Sequence, residues 1–274
     1  MKKLLIAGPW IGEFGWELMG WQGAIRKLSR SHKKTIVMCP ESSQYLYKDF
    51  AYDLWFVDKS FECSAHEGYD VPQHYYDDRI KEEIRGLDVS DFTIVAPSIF
   101  PKPSDNEFIS FKQTTTKKYH IAFHARMVNR QHKNLSGANK RNWPKDKWMQ
   151  LMEKMKDTNC TMCSIGYPGQ ALHLPYTDDL RSVQLKDTIN TLNSSVMMAG
   201  PNSGPTHLSA LCECPHLTWI DYSATASGMT TYERVSNVWN PFKTPVSIIQ
   251  DLQPSPDFVF EQIGDFLQIL LRNN

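Results

Sequence analysis

The spacing of apolar positions alternates along this chain between short continuous runs and helical stripes. Residues 2–8, KKLLIAG, form an apolar run closed by glycine and predict a buried strand. Residues 15–30 then carry Leu18, Trp21, Ile25 and Leu28 at helical spacing. KTIVMCP (34–40) predicts a second strand, SSQYLYKDF (42–50) a helix with a serine start, and YDLWFVD (52–58) a third strand. A charged amphipathic helix over DDRIKEEIRGL (77–87) and a strand over DFTIVAPS (91–98) complete the series. Residues 101–118, PKPSDNEFISFKQTTTKK, hold no sustained period and read as a linker.

A second series follows. Strands are predicted at YHIAFHAR (119–126), NCTMCSIGY (159–167), VMMAG (196–200) and PHLTWID (215–221). Helices alternate with them at PKDKWMQLMEKMKD (144–157, proline in its first turn), LKDTINTLNSS (185–195) and GPTHLSALCE (204–213). Strand–helix alternation implies parallel sheets with helical crossovers. The expected fold is therefore α/β, with two Rossmann-like domains, 1–116 and 117–274, facing across a cleft. Ligands of such sheets bind beyond the carboxyl ends of the strands. The closing helix, in PSPDFVFEQIGDFLQILLRNN (254–274), presents Phe258, Ile263, Phe266, Leu267, Ile269 and Leu270. That face suits packing on its own domain, crossing back to the first, or dimer formation.

Composition narrows the function. The 274 residues carry 30 Lys+Arg and 30 Asp+Glu, so bulk charge supports no general affinity for nucleic acid or anionic membranes. The opening MKKLLIAGPW is too short an apolar run for a signal peptide, and no stretch of about 20 apolar residues marks a membrane span. A soluble cytoplasmic protein is expected. The six cysteines suit a reducing compartment. Cys160, Cys163, Cys212 and Cys214 could supply zinc ligands, but residues three apart in a strand point to opposite faces, which favours buried thiols.

Three stretches carry candidate chemistry. In GPNSGPTHLSALCECPHLTWID (200–221), Gly200, Ser203 and Gly204 let the backbone approach an anion where a helix begins, and the helix dipole favours negative charge there. The same residues also suit a tight turn with a serine cap that serves only the fold. In FHARMVNRQHKNLSGANKRNWPKDKW (123–148), His124 and Arg126 alternate by two at a strand end, and Arg130, Lys133, Lys140 and Arg141 follow. Arg126 and Arg141 are the candidates for bidentate contacts to a diphosphate. The loop GPWIGEFGWELMGWQG (8–23) places Glu13 and Glu17 among aromatic residues after the first strand, where a carboxylate can act as general base. Glu13 also suits a helix N-terminus.

MMAGPNSGPTHLSALCECPHLTWID (197–221) resembles the donor-site segment of the heptosyltransferase-like glycosyltransferases (family 9, GT-B fold): a strand, Gly-x-x-Ser-Gly-Pro-x-His-Leu, then a Pro-led strand. The resemblance implies metal-independent, cofactor-free transfer of a sugar from a nucleotide-sugar donor. It places Ser203, Gly204, Pro205 and His207 on the donor phosphate, and Gly166, Tyr167 and Asp179 near its base and ribose. The family's acidic catalytic residue follows a glycine after the first strand. Gly12-Glu13 matches that position with glutamate for aspartate, Glu17 is the rival, and Trp10, Gly12 and Trp16 fall on the acceptor side. The acceptor implied is a glycan or lipid-linked glycan. Alternatives are a phage-type DNA glycosyltransferase acting on a hydroxymethylated base, a nucleotide-sugar epimerase of the same fold, and a binding module that keeps the phosphate turn without transfer.

Overall fold

The computed structural model describes residues 1–10, 12–57, 77–96, 106–128, 140–222, 224–226 and 228–272. Two compact units make up the chain, Met1–Phe108 and Ile109–Asn274. The sequence pattern puts the division at 116/117; the intervening residues are tied to the second unit. Phe111 exchanges backbone bonds with Leu211 (2.8 Å) and the Asn193 side chain (3.0 Å). Lys117 Nζ donates to the carbonyls of Asn193 and Ser195, both at 2.8 Å.

Unit 1 is a four-stranded parallel sheet in the order β3-β2-β1-β4: β1 Lys2–Ala7, β2 His32–Cys39, β3 Asp53–Phe56 and β4 Phe92–Val95. Leu4, Leu5, Ile6 and Ala7 are all buried, as expected of a strand covered on both faces. The helix after β1 has three pieces, α1 (Phe14–Trp16), a π-helical Glu17–Trp21 and α2 (Gln22–Ser29). π-helical turns are rare and concentrate at functional sites. Residues 42–50 do not form the expected α-helix: a 3-10 helix spans Glu41–Leu46. The reason lies in tertiary contacts, since the hydroxyls of Ser43 and Tyr47 turn inward onto Glu17. Helix α3, Asp77–Glu83, agrees with the sequence pattern.

Unit 2 holds β5 Tyr119–Phe123, β6 Ala125–Arg126, β7 Met162–Ser164, β8 Ala171–Leu172, β9 Asp178–Asp179, β10 Ser195–Pro201, β11 His216–Trp219, β12 Thr225–Ala226, β13 Met229–Thr230 and β14 Val246–Ile249. Its main sheet, β14-β11-β10-β5-β7-β9, is parallel throughout. The chain starts in the middle at β5, runs outward to β9, then returns to β10 on the other side. β5 and β10 therefore flank the topological switch point, where sheets of this kind bind ligands. The helices are α4 Lys145–Met155, α5 Leu185–Asn193, α6 Gly204–Leu211, α7 Thr231–Glu233 and α8 Pro256–Arg272. Pro144 precedes α4 as its cap position rather than lying in its first turn. Trp143, Trp148 and Trp219 pack together in the core with ring centroids 4.9–5.6 Å apart.

Helix α8 packs on its own unit through Val259, Ile263, Leu267 and Leu270. Its Asp257 pairs with Lys154 of α4 at 2.5 Å. Phe258 and Ile269, expected on the apolar face, are exposed: the buried stripe runs one position away from each. Among the described residues, no helix is long and apolar enough to cross a membrane.

Candidate functional site

The loops after β5 and β10 meet at the switch point of unit 2. β10 ends at Pro201, and α6 begins at Gly204 with Pro205 in its first turn. Ser203 occupies the cap position, yet its side chain makes no capping bond. The amides of Gly204 and Thr206 have no hydrogen-bond partner among the described residues. Such amides, aided by the helix dipole, form a ready anion site. Beside them the buried side-chain oxygen of Asn202 is also without a partner among the described residues.

His124 follows β5 and lies in a slot cleared by two glycines. A Cβ on Gly200 would stand 2.6 Å from the His124 carbonyl oxygen, and one on Gly166 (φ +117°) 2.8 Å from its ring. Gly200→Ala must therefore push apart the paired β5 and β10 and is expected to cost about 1–3 kcal/mol of stability. Urea unfolding measures this, and an unchanged midpoint would refute the close approach. Gly166, assigned to the donor's base and ribose by resemblance, lies against this imidazole. His124 Nδ1 lies 3.0 Å from Ser203 Oγ. Burial, reinforced by the Arg126 charge, pushes its pKa down to about 3 and keeps the ring neutral.

The two arginines selected from sequence flank this turn differently. Arg126 is buried and hydrogen-bonded to Asn142 Oδ1, which also accepts from the Val128 amide at 3.2 Å. It belongs not to β5 but to the two-residue β6, paired antiparallel with β8, because the main strand ends at Phe123. Half-buried Arg141 reaches the turn itself, donating to the Asn202 carbonyl at 3.3 Å. Arg130 and Lys133 lie outside the described residues; Lys140 is exposed.

His207, one turn into α6, is buried edge-on against Trp239, with ring centroids 4.6 Å apart. Burial, then His216, Arg141 and Arg234, lower its pKa to about 3. Arg234 lies over the same Trp239 ring at 5.2 Å and donates to the Met229 carbonyl at 2.8 Å. The sequence pattern does not single out Asn142, Arg234 or Trp239. A signal for Arg234 was present: Thr230-x-x-Glu233 is a capping box, and it closes in the structure immediately before that arginine.

The resemblance puts Asp179 near the donor's base and ribose. It lies on edge strand β9, and both its oxygens are held at 2.7 Å by Arg181, which lowers its pKa to about 2. Its carboxylate is thus engaged within the chain. Tyr167 is exposed, and Pro205 supplies the first turn of α6. Among the described residues, no group of three or more His, Cys, Asp or Glu is placed to hold a metal ion.

In unit 1, the loop after β1 leads into α1. Glu13 takes the cap position in extended conformation, without a side-chain capping bond, and its carbonyl accepts from the amides of Trp16 and Glu17, both at 3.1 Å. Gly12, Glu13 and Trp16 are half-buried. Glu17 is only 3% exposed, and its carboxylate accepts from Tyr47 Oη (2.8 Å) and Ser43 Oγ (3.2 Å). Burial and the Glu17 charge push the Tyr47 and Cys39 pKa values up. Trp10, expected on the acceptor side, is buried against Trp21 with centroids 5.8 Å apart. Its ring packs within the loop.

No family profile and no curated protein sequence matches the chain. Solved structures do. A family 9 glycosyltransferase from Veillonella parvula superposes with a TM-score of 0.58 at 11% identity, covering 99% of this chain and 97% of its own. The E. coli ADP-heptose lps heptosyltransferase II gives 0.56 at 13% identity, covering 97% and 98%. The iron-containing dodecameric glycosyltransferase TibC of enterotoxigenic E. coli gives 0.53 at 11%, covering 99% and 76%. At these identities the likeness is one of fold: the chain has the GT-B fold of these glycosyltransferases.

Proposed function

We propose that the chain is a glycosyltransferase that moves a sugar from a nucleoside-diphosphate donor to an acceptor hydroxyl. The observation that carries this reading is the uncapped start of α6 at the switch point, with Arg141 on the adjoining carbonyl and Arg126 close by. Open amides beside the Arg141 guanidinium suit a diphosphate, whose charge grows as the bond from the anomeric carbon to the phosphate oxygen breaks. The structural neighbours named above share the fold, and they are themselves glycosyltransferases, one of them a heptosyltransferase. We assign charge neutralisation at the leaving group to these protein groups, without a metal ion or cofactor.

Glu13 is the proposed general base. As the anomeric carbon leaves the phosphate oxygen and bonds to the acceptor oxygen, the hydroxyl proton passes to the Glu13 carboxylate. Glu17, clamped by Tyr47 and Ser43 in the core, is poorly placed to reach an external hydroxyl. A glycan or lipid-linked glycan is the proposed acceptor, and the cytoplasm, where nucleotide-activated sugars are made, the proposed location.

Gly204→Val tests the donor turn. A branched side chain at the first helical residue would cover the amides an anion needs, so affinity for nucleoside diphosphates should fall about tenfold or more while the fold persists. Calorimetric titration reads it. Equal affinity of variant and wild type for a diphosphate that the wild type binds would remove the turn from the site.

A further inference from the structure

We infer that His124 is a positioning residue that holds the start of α6 uncapped, so that its amides remain open to the donor phosphate; this rests on the donor site proposed above. Ser203 precedes the helix in extended conformation (φ −166°, ψ 179°). From that place a serine hydroxyl ordinarily accepts from an amide two or three residues on. Pro205 has no N–H, so the amide within reach is that of Thr206. The hydroxyl does not take it. It lies instead 3.0 Å from the Pro201 carbonyl and 3.0 Å from His124 Nδ1.

A carbonyl oxygen only accepts, so the Ser203 proton goes to Pro201, and the Ser203 oxygen accepts a proton held on His124 Nδ1. His124 is therefore the neutral Nδ1–H form, and its bond, with the one to Pro201, holds the Ser203 side chain in an orientation that makes no capping bond to the Thr206 amide. The slot formed by Gly166 and Gly200 fixes the ring in this place. Thr206 Oγ1 also donates to the Pro201 carbonyl, at 3.2 Å, which orients the first turn without consuming an amide. The buried side-chain oxygen of Asn202 has no partner among the described residues; as an acceptor it suits a hydroxyl of a bound donor rather than its phosphate.

A double-mutant cycle on the full chain tests the lock, with ADP, UDP, GDP and CDP as titrants. Freed from His124, Ser203 should cap Thr206 and compete with phosphate, so His124→Phe should weaken diphosphate binding about five- to tenfold. In the Ser203→Ala background, where no cap can form, the same change should shift affinity less than about twofold. His124→Asn, whose amide can replace the Nδ1–H donor, should stay within about threefold of wild type. An equal loss from His124→Phe in both backgrounds would overturn the lock. If the phenyl ring does not fit the slot and the variant fails to fold, His124→Ala carries the same cycle. A ligand-free crystal structure of the variant decides the point separately: Ser203 Oγ on the Thr206 amide supports the lock, and Oγ still on Pro201 refutes it. If the wild type binds none of the four diphosphates, the donor-site reading falls, and the ligand-free structure still decides the role of His124.

Discussion

Glu13→Gln is expected to lower sugar transfer about 10²–10⁴-fold while donor affinity stays within about threefold of wild type. The substitution keeps the size of the side chain and its hydrogen bonding but removes the charge that accepts the acceptor's proton. Backbone geometry should survive, because the Glu13 carbonyl, which the substitution leaves in place, accepts from the amides that open α1. Glu17→Gln is the control. Its amide oxygen can still accept from Tyr47 while its NH2 donates to the Ser43 hydroxyl oxygen, so transfer should change by less than about tenfold. Single-turnover rates at saturating donor make the comparison. Wild-type transfer by Glu13→Gln with loss in Glu17→Gln would move the base to Glu17, and no effect from either would make the loop structural.

The second large effect is on stability at mildly acid pH. His124, His207 and His216 are buried in unit 2, and burial lowers their pKa values to about 3, 3 and 4. In the unfolded chain each imidazole protonates near pH 6.5. Between pH 6.5 and 4 the unfolded state therefore binds up to three more protons than the folded state. Stability is full above pH 6.5 and falls as pH drops, by about 1.4 kcal/mol per pH unit for each histidine and about 4 for the three at most. Urea unfolding followed by tryptophan fluorescence at pH 7 and pH 5 should show the loss. Equal stability at the two values would mean that these imidazoles are hydrated or already charged in the folded protein.

The strands were the most legible part of the chain, for a physical reason. Runs such as Leu4–Ala7 and Met197–Ala199 are buried on both faces, so each announces a central parallel strand. The turn between β10 and α6 was legible through its small residues, since β10 needs glycine at 200 to pass His124 and α6 starts at Gly204–Pro205. What the sequence concealed depends on tertiary contact. Nothing local shows that Ser203 leaves its capping role for His124, that Asp179 is held by Arg181, or that Ser43 and Tyr47 break a helix to reach Glu17. Arg234 and Trp239 come to His207 from about 30 residues downstream, beyond any periodicity window.

The proposed activity requires that unit 2 bind a nucleoside diphosphate at the turn between β10 and α6. A crystal structure of the full chain with a bound nucleoside diphosphate tests it most directly. The expected result is phosphate oxygens on the amides of Gly204 and Thr206 with an Arg141 contact, and Ser203 still hydrogen-bonded to His124. A diphosphate held elsewhere on the chain, with this turn empty, would contradict it.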